Sequence, residues 1–423
     1  MCSVEKLIGL FSDVMNEAPI GDIGLAVSGG GDSLALLYLS ADWAIKNGRR
    51  VKSATVDHGL RSESQSECAY VKELSGELLI EHTTLNWLEN PSGNMQKSAR
   101  DARHRLLTQW ATENNLSVVL LGHTLEDNAE TIMIRLIRGS GIDGLTGISK
   151  SIKINNLAIF RPLLEISREN LRNYLTFKNV TWIDEPSNLD ERFQRVKIRK
   201  LFPQLLDLGL TPSKLVGIAQ HMARAKEAIN SEVLGFARNS VKQKAWGDLE
   251  IDQEAFMELS AEYQFRLLSA ALRWISGNVY RPRLRSLKML LNSLIEPEKF
   301  SGFSLMGCII KCRRGTIVLT REFSALPKQQ TIQKTEFIWD KKWNVKVDPC
   351  TVSLLMIGPL GQNGLAQIKM ENRGSIPFNA LKTSVALFKK DQVHCVPMLS
   401  YGSGLSVELV GGPASFLNFL ATY

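Results

Sequence analysis

A short run of glycines between two serines is the feature of this sequence with the clearest chemistry. The run follows an apolar segment at 23–27 and precedes a segment of helical spacing that starts at Leu34. Glycines permit a tight turn whose backbone N–H groups converge on an anion, and a helix start adds its positive end. The predicted phosphate-binding loop consists of Ser28, Gly29, Gly30, Gly31, Asp32 and Ser33. Its hydroxyls can donate to phosphate oxygens, and Asp32 is suited to holding Mg²⁺ between phosphates.

Two well-known glycine loops do not fit this segment. A Walker A loop needs a lysine followed by serine or threonine, and 28–33 contains no lysine. The dinucleotide fingerprint needs a third glycine where the best alignment places Leu34. The loop is similar instead to the SGGxDS loop of the ATP pyrophosphatases. That resemblance implies a loop that holds pyrophosphate and a reaction that splits ATP between its α and β phosphates.

A second polar loop follows the strand-like segment at 51–56. It begins with Asp57 and His58 and continues to Arg61. Hydrogen-bond acceptors at this position are predicted to receive the adenine or the ribose of the nucleotide. The alternative is a simple turn in which His58 caps the end of a strand.

A third polar loop runs from Gly122 into a helical segment. Asp127 and Glu130 are three residues apart, so they lie on one face of that helix. We interpret them as a carboxylate pair that grips a cationic amine or a metal ion. Acidic residues at a helix start are also common as caps, and that reading stays open.

Strand-like and helix-like segments alternate around these loops. Strands are predicted at 23–27, 51–56 and 117–121, and helices at 34–44, 67–79, 94–110 and 128–138. This alternation predicts an α/β fold with a parallel sheet covered on both faces, in which ligands bind beyond the carboxyl ends of the strands. The three polar loops are therefore expected along one rim of the sheet.

The pattern changes twice further along the chain. Thr211 and Pro212 are typical of a helix cap and first turn, and helical spacing continues to about residue 297. From residue 301 the pattern is β-rich, with a hairpin signal at Arg313–Gly315. We predict a parallel-sheet domain at 1–208, a helical domain at 209–298 and a small β-rich α+β domain at 299–423.

The composition is that of a globular protein of a reducing compartment, so we expect a cytoplasmic location. No apolar stretch of about 18 residues is present, so no membrane contact is expected. The net charge of +8, from 51 Lys and Arg against 43 Asp and Glu, is compatible with a polyanionic partner but does not identify one. The six cysteines form no CxxC pair, which argues against a thiolate zinc site or an iron–sulfur cluster.

Seven motifs in matching order resemble tRNA(Ile)-lysidine synthetase over roughly residues 20–205. They are SGGGDS at 28–33, VDHGLR at 56–61, ARDARH at 99–104, GHTLEDNAET at 122–131, RLIRGSGIDGL at 135–145, RPLLEISRENL at 161–171 and WIDEPSNLDERFQRVKIRKLFP at 182–203. Two positions depart from the family pattern. Thr124 stands where a second histidine is common, and Val196 follows Arg195 where asparagine is common.

The resemblance implies a HUP-like, PP-loop catalytic domain followed by two tRNA-binding domains. It implies an ATP- and Mg²⁺-dependent ligase that adenylates C2 of the wobble cytidine of tRNA(Ile) with a CAU anticodon. L-lysine then replaces AMP. Asp32, Asp127 and Glu130 would be catalytic, with Asp32 on the metal and the general base undecided between the other two. Contacts with lysine or tRNA are expected from Arg100, Arg103, Arg135, Arg195 and Arg199.

Three other functions are weighed against this one. A tRNA thiolase of the same superfamily would have a similar loop, but its cytidine-modifying members carry CxxC motifs. A small-molecule amidating enzyme would not need the basic cluster at 192–200. A non-catalytic RNA-binding protein would not need the glycine loop together with Asp127 and Glu130. The oligomeric state is left open, a homodimer included.

Overall fold

Two units make up the chain in the computed structural model, spanning Met1–Lys226 and Glu227–Tyr423. The structure describes residues 4–59, 64–88, 95–154, 157–184, 190–295, 300–349 and 355–422. Part of the second polar loop, 60–61, and part of the last motif, 185–189, lie outside the described residues. Within the described ranges, none of the helices has both the length and the apolar character needed to span a membrane.

A six-stranded sheet organises the first unit. Its strands are β1 (Ile23–Ala26), β2 (Val51–Asp57), β3 (Glu81–Asn86), β4 (Val118–Leu121), β5 (Ser151–Ile154) and β6 (Leu157–Phe160). The order across the sheet is β3-β2-β1-β4-β6-β5. Every neighbouring pair is parallel except the antiparallel pair of β5 and β6. The predicted parallel sheet is confirmed. Strands β3, β5 and β6 were not predicted. Of these, β3 and β5 lie at the edges of the sheet and contain polar residues, which weakens the apolar pattern of a strand.

Helices cover both faces of this sheet. The first unit contains α1 (Val4–Met15), α2 (Gly31–Asn47), α3 (Ser64–Glu77), α4 (Met95–Glu113), α5 (Leu125–Ile137), α6 (Ile142–Leu145), α7 (Arg168–Phe177), α8 (Gln194–Asp207) and the start of α9 (Pro212–Ser240). Residues of α1, α2, α3 and α7 form one apolar core with the sheet, and residues of α4 form another. Gly24 permits the close approach of α4, because a Cβ there would lie 2.7 Å from the ring of Trp110.

The start of α9 confirms the helix cap predicted from the sequence. Helix α8 ends at Asp207, and α9 begins at Pro212. The Lys214 amide donates to the Thr211 hydroxyl at 3.2 Å, as expected of a capping threonine.

The second unit is built on antiparallel sheets. Its helices are α10 (Gln253–Glu258), α11 (Ala261–Ser276), α12 (Leu284–Leu294), α13 (Gly361–Ala366), α14 (Phe378–Thr383) and α15 (Ser415–Ala421). Strands β7 (Val241–Gln243), β8 (Leu249–Asp252), β9 (Phe303–Leu305), β10 (Cys308–Arg313) and β11 (Thr316–Arg321) form one sheet, in the order β7-β8-β11-β10-β9. The predicted hairpin at Arg313–Gly315 is therefore confirmed as the turn between β10 and β11.

Two smaller sheets complete the β-rich end of the chain. They contain β12 (Gln330–Thr331), β13 (Glu336–Trp339), β14 (Trp343–Val347), β15 (Met356–Pro359), β16 (Val385–Lys389), β17 (Gln392–Cys395) and β18 (Leu405–Leu409). Strands β7 and β8 lie in the segment predicted to be helical, yet they share a sheet with β11. The sequence analysis did not predict these two short strands, and the domain boundaries at 208 and 298 stay a prediction.

Candidate active site

The glycine loop lies between the carboxyl end of β1 and the first turn of α2. Gly29 has φ +85°, in the left-handed region that favours glycine. The Ser33 hydroxyl donates to the Gly30 carbonyl at 2.9 Å and accepts from the Ser28 amide at 3.1 Å. The serine at the loop's end therefore fixes the turn. The first amides of α2 have no partner within the helix, so they can bond to an anion.

The loop after β4 comes close to the glycine loop. A Cβ on Gly122 would lie 3.1 Å from the carbonyl oxygen of Asp32 and 3.2 Å from Cα of Ser33. A side chain at this position would therefore push the two loops apart by a few tenths of an ångström. The predicted meeting of the first and third polar loops on one rim is confirmed.

Asp127 uses its two carboxylate oxygens for different purposes. Oδ2 accepts from the Thr124 amide at 3.0 Å, and the Thr124 hydroxyl accepts from the Asp127 amide at 3.4 Å, which together form a capping box. Oδ1 accepts from Arg168 at 2.6 Å. The capping alternative is thus correct for one oxygen, while the other oxygen is paired with a guanidinium.

Arg168 lies at the centre of the site, and the sequence analysis assigned it no role. Its Nε donates to Asp32 at 3.2 Å, its Nη1 to Glu130 at 3.0 Å and its Nη2 to Asp127 at 2.6 Å. The Glu130 side chain is only 1% exposed and also accepts from Nε of Arg199 at 2.9 Å. Two guanidinium groups therefore neutralise part of the charge of three buried or half-buried carboxylates. The sequence feature that could have indicated a role for Arg168 is its place in the RPLLEISRENL motif, directly after the capping residue of α7.

The close packing of these charges shifts several pKa values. Burial raises the pKa of Asp32 to about 6, aided by the charge of Asp127 and opposed by Arg168. Burial acts in the same direction on Asp127, but the charge of Arg168 and the bond from the Thr124 backbone outweigh it, so the pKa of Asp127 is lowered. Asp127 is therefore ionised at neutral pH. Burial lowers the pKa of His123 to about 4, so this imidazole is neutral.

A cavity of about 540 Å³ opens over the glycine loop. It brings together most of the residues predicted to act on the nucleotide and substrate. Those that line it are Ser28, Gly30, Gly31, Asp32, Ser33, Arg103, Asp127, Arg195 and Arg199. Arg168, Arg172, His123, Asp184 and Phe193 line it as well, without having been assigned a role from the sequence. The volume suits a nucleotide-sized ligand.

Other predicted site residues lie elsewhere in the first unit. The Asp57 carboxylate accepts from the Gly59 amide at 2.8 Å, and His58 packs edge-on against Trp87 at 5.7 Å. A turn held by Asp57 is therefore present, while capping of the strand by His58 and a nucleotide contact by these two residues both stay predictions. Arg135 donates to the carbonyls of Gly144 and Gly147, and Arg100 is exposed on α4.

Cysteine chemistry has no place at this cavity in the described part of the chain. The free thiols there are Cys68, Cys308, Cys312 and Cys395, and none of them lines the cavity. Burial raises the pKa of Cys68 and Cys308. These are packing cysteines, which agrees with the lack of a CxxC pair in the sequence.

The order of the strands, the glycine loop after β1 and the carboxylates of Asp32 and Asp127 together are typical of a PP-loop protein. The sequence model of a family described as a PP-loop domain matches residues 5–205. A tRNA(Ile)-lysidine synthase of Ruegeria pomeroyi is 34% identical over 402 residues, covering 95% of this chain and 94% of the relative. With that identity over nearly the whole length, this chain belongs to the tRNA(Ile)-lysidine synthase family.

Further relatives with the same name agree. The protein of Wolbachia pipientis is 33% identical over 363 residues, with 83% of each chain covered. That of Rickettsia akari is 30% identical over 415 residues, covering 94% of this chain and 93% of the relative. Among solved structures, a U34-tRNA thiolase of Methanococcus maripaludis has a TM-score of 0.46 at 16% identity, covering 52% of this chain and 80% of that one. That likeness is too distant to support an argument.

Proposed function

We propose that this protein is an ATP-dependent ligase that converts the wobble cytidine of tRNA(Ile) with a CAU anticodon to lysidine. The observation that carries the proposal is the junction of Asp32 and Asp127 through Arg168. It joins a phosphate-binding loop to a carboxylate suited to an amine, in one cavity. An enzyme that first activates a base with ATP and then attaches lysine needs both parts side by side.

In the first step, the C2 oxygen of cytidine attacks the α-phosphorus of ATP. The bond from that phosphorus to the β-phosphate oxygen breaks, and pyrophosphate leaves. Loop amides and the start of α2 are placed to hold the pyrophosphate portion, because preorganised donors stabilise the charge that develops there. The closure of the loop by Ser33 keeps these donors in place.

Mg²⁺ fits the carboxylates of this site. Within the described ranges, there is no group of three or more His, Cys, Asp or Glu side chains that could hold a metal ion by itself. In nucleotide sites, however, Mg²⁺ is commonly held by one or two carboxylates together with phosphates. Asp32 belongs to the glycine loop and lines the cavity, so it is the proposed protein ligand. Bound there, the ion would neutralise phosphate charge.

In the second step, the lysine side-chain nitrogen attacks C2, the C2–O bond breaks and AMP leaves. Free lysine has a pKa of about 10.4, so its ammonium must lose a proton near the site. Asp127 lines the cavity, whereas Glu130 is almost fully buried between two arginines. We therefore assign amine binding and proton acceptance to Asp127, and to Glu130 the placement of Arg168 and Arg199.

The tRNA is proposed to approach along the basic residues of the cavity. Arg103, Arg195 and Arg199 line it and can contact RNA phosphates. Lysine and tRNA(Ile) are thus the proposed substrates, and the cytoplasm, where tRNA is modified, is the proposed location. A homodimer remains a prediction to be measured in solution.

Incorporation of labelled lysine into purified tRNA(Ile) with ATP and Mg²⁺ tests the proposal. We expect lysine in the tRNA, with one AMP and one pyrophosphate released for each lysine attached. The matched control is the methionine tRNA, which has the same anticodon letters without being a substrate of the proposed reaction. Release of ADP, or ATP turnover that needs no RNA, would contradict the proposed chemistry.

A further inference from the structure

Each nitrogen of the Arg168 guanidinium faces a different carboxylate. The three acceptors are Asp32, Asp127 and Glu130, at 3.2, 2.6 and 3.0 Å. They come from two helices, α2 and α5, while the arginine is the first residue of a third helix, α7. The Arg168 side chain is 19% exposed. The planar guanidinium serves the three acceptors from three separate nitrogens in a fixed geometry, whereas a lysine in its place would offer rotatable donors on a single nitrogen.

The backbone around Arg168 fixes the origin of this fork. The Arg168 amide donates to the Glu126 carboxylate at 2.9 Å. The amide of Leu125 donates to the carbonyl of Ile166 at 3.1 Å, and the hydroxyl of Ser167 caps α7. The beginnings of α5 and α7 are thus bound to each other at Arg168 and two residues before it, so the carbon stem of the arginine starts from a fixed point.

The carboxylates depend on the arginine for their separation. Asp32 and Asp127 bond to the same guanidinium at 3.2 and 2.6 Å, so these two like-charged groups lie close together and repel each other. The guanidinium that pairs with both of them counters that repulsion. Among the residues that the structure describes, the ion pair left to Glu130 would be the one with Arg199.

We infer that Arg168 is a positioning residue that couples the two halves of the reaction. Through Asp32 it sets the phosphate side of the cavity, and through Asp127 it sets the amine side. The inference rests on the proposed function. It predicts that one substitution impairs both adenylation and lysine transfer, although Arg168 itself forms no bond to the reacting atoms.

The charges of the cluster fit this role. Three carboxylates face the two guanidinium groups of Arg168 and Arg199, which leaves one formal negative charge when all are ionised. A lysine ammonium or a metal ion can therefore bind without displacing Arg168. If the arginine were absent, the same carboxylates would attract cations but would not hold them at a defined distance from the nucleotide loop.

Arg168→Lys tests the inference, because it keeps the charge and loses the fork. Pyrophosphate release with tRNA and ATP, without lysine, reports the first half-reaction; lysine incorporation reports the second. A misplacement of about 1 Å can lower a rate by about 100-fold, and we expect losses of that order in pyrophosphate release, together with a raised KM for lysine. Binding of tRNA should stay within about twofold, since phosphate contacts mostly position the RNA.

Two controls separate positioning from a loss of folding. Arg50→Gln removes an arginine whose side chain is 85% exposed and which pairs with Asp22, and it should change neither half-reaction. In the double variant Arg168→Lys with Asp32→Asn, the rate of pyrophosphate release should fall by less than the product of the two single fold-losses, because the effects of contacting residues are not independent. A purely structural role would lower the amount of folded enzyme without changing KM for lysine.

The outcomes are distinct. Wild-type kcat and KM for lysine in folded Arg168→Lys would overturn the inference while leaving the proposed function intact. If the loss of pyrophosphate release in the double variant equals the product of the two single fold-losses, the two residues act independently, and the coupling through Asp32 would be overturned. A wild-type protein that incorporates no lysine would count against the proposed function and, with it, against the inference.

Discussion

Thr124 and Asp127 bond to each other at the start of α5, each side chain accepting from the other's backbone amide, at 3.4 and 3.0 Å. The pair satisfies two amides that the helix cannot satisfy internally, and it leaves Oδ1 of Asp127 directed at Arg168. Thr124 is fully buried. The residue that departs from the family's common histidine therefore has a structural role in orienting a proposed catalytic carboxylate.

Thr124→Val should weaken both stability and lysine binding. Valine keeps the shape and removes the capping oxygen, so we expect a loss of about 1 kcal/mol in the free energy of unfolding. The KM for lysine should rise, because Asp127 would be held by one bond fewer. Urea unfolding and lysine incorporation measure the two effects. Thr124→Ser keeps the hydroxyl and serves as the control; equal damage in both variants would contradict the role of the hydroxyl.

Substitutions in the glycine loop should separate nucleotide chemistry from RNA binding. Asp32→Asn and Ser33→Ala remove, respectively, the proposed metal ligand and the hydroxyl that closes the loop. AMP release should fall while tRNA binding persists, since the basic residues of the cavity are unchanged. Filter binding and an AMP assay on the same preparations test this. A parallel loss of both would show that the loop also binds RNA.

Two arginines predicted to contact substrate should behave differently from each other. Arg195 lines the cavity and bonds to the Thr131 hydroxyl at 3.2 Å, so Arg195→Gln should lower tRNA affinity and reduce its salt dependence by about one unit of slope. Arg135 donates to the carbonyls of Gly144 and Gly147 at 2.9 and 2.7 Å.

For Arg135→Gln we therefore expect lower stability, by about 1–3 kcal/mol, with little change in the salt slope. Affinities at several salt concentrations, together with unfolding curves, distinguish the two variants. A salt slope that falls equally in both would restore Arg135 as an RNA contact.

The stability of the protein should fall between pH 6.5 and about 4, in part because of His82. Burial, with a smaller effect of Lys72, lowers the pKa of His82 from 6.5 to about 4. Its Nδ1 lies 2.9 Å from the Ser53 hydroxyl, and its Nε2 is buried without a hydrogen-bond partner among the described residues. The unfolded chain thus binds more protons in this interval, so acid favours unfolding.

His82→Gln should make the loss of stability on going from pH 7 to pH 5 smaller than in the wild type. Urea unfolding at both pH values measures the difference. His394→Gln, at an exposed position, controls for the removal of an imidazole. An unchanged pH dependence in His82→Gln would mean that His82 takes up its proton in the folded protein as readily as in the unfolded chain.

Local sequence patterns were sufficient for the glycine loop and for the strands beside it. Ser28–Ser33 forms its turn through bonds between residues at most five apart, so its geometry depends on the local sequence. Likewise, β1 and β4 are short apolar runs in the interior of the sheet. The edge strand β3 was not predicted because its residues are exposed or half-buried and give little apolar pattern. The short strands β7 and β8 were not predicted because they belong to a sheet with β11, which lies far along the chain.

The sequence by itself determined the class of fold, the family resemblance and the identity of the phosphate-binding loop, because these depend on residue types at fixed short spacings. Only the tertiary structure decided which charges meet. Arg168 reaches Asp32 across 136 positions in the chain and Asp127 across 41. Such contacts arise from the order of strands and the packing of helices, and the energy of a buried charge depends on the partners that the fold places around it.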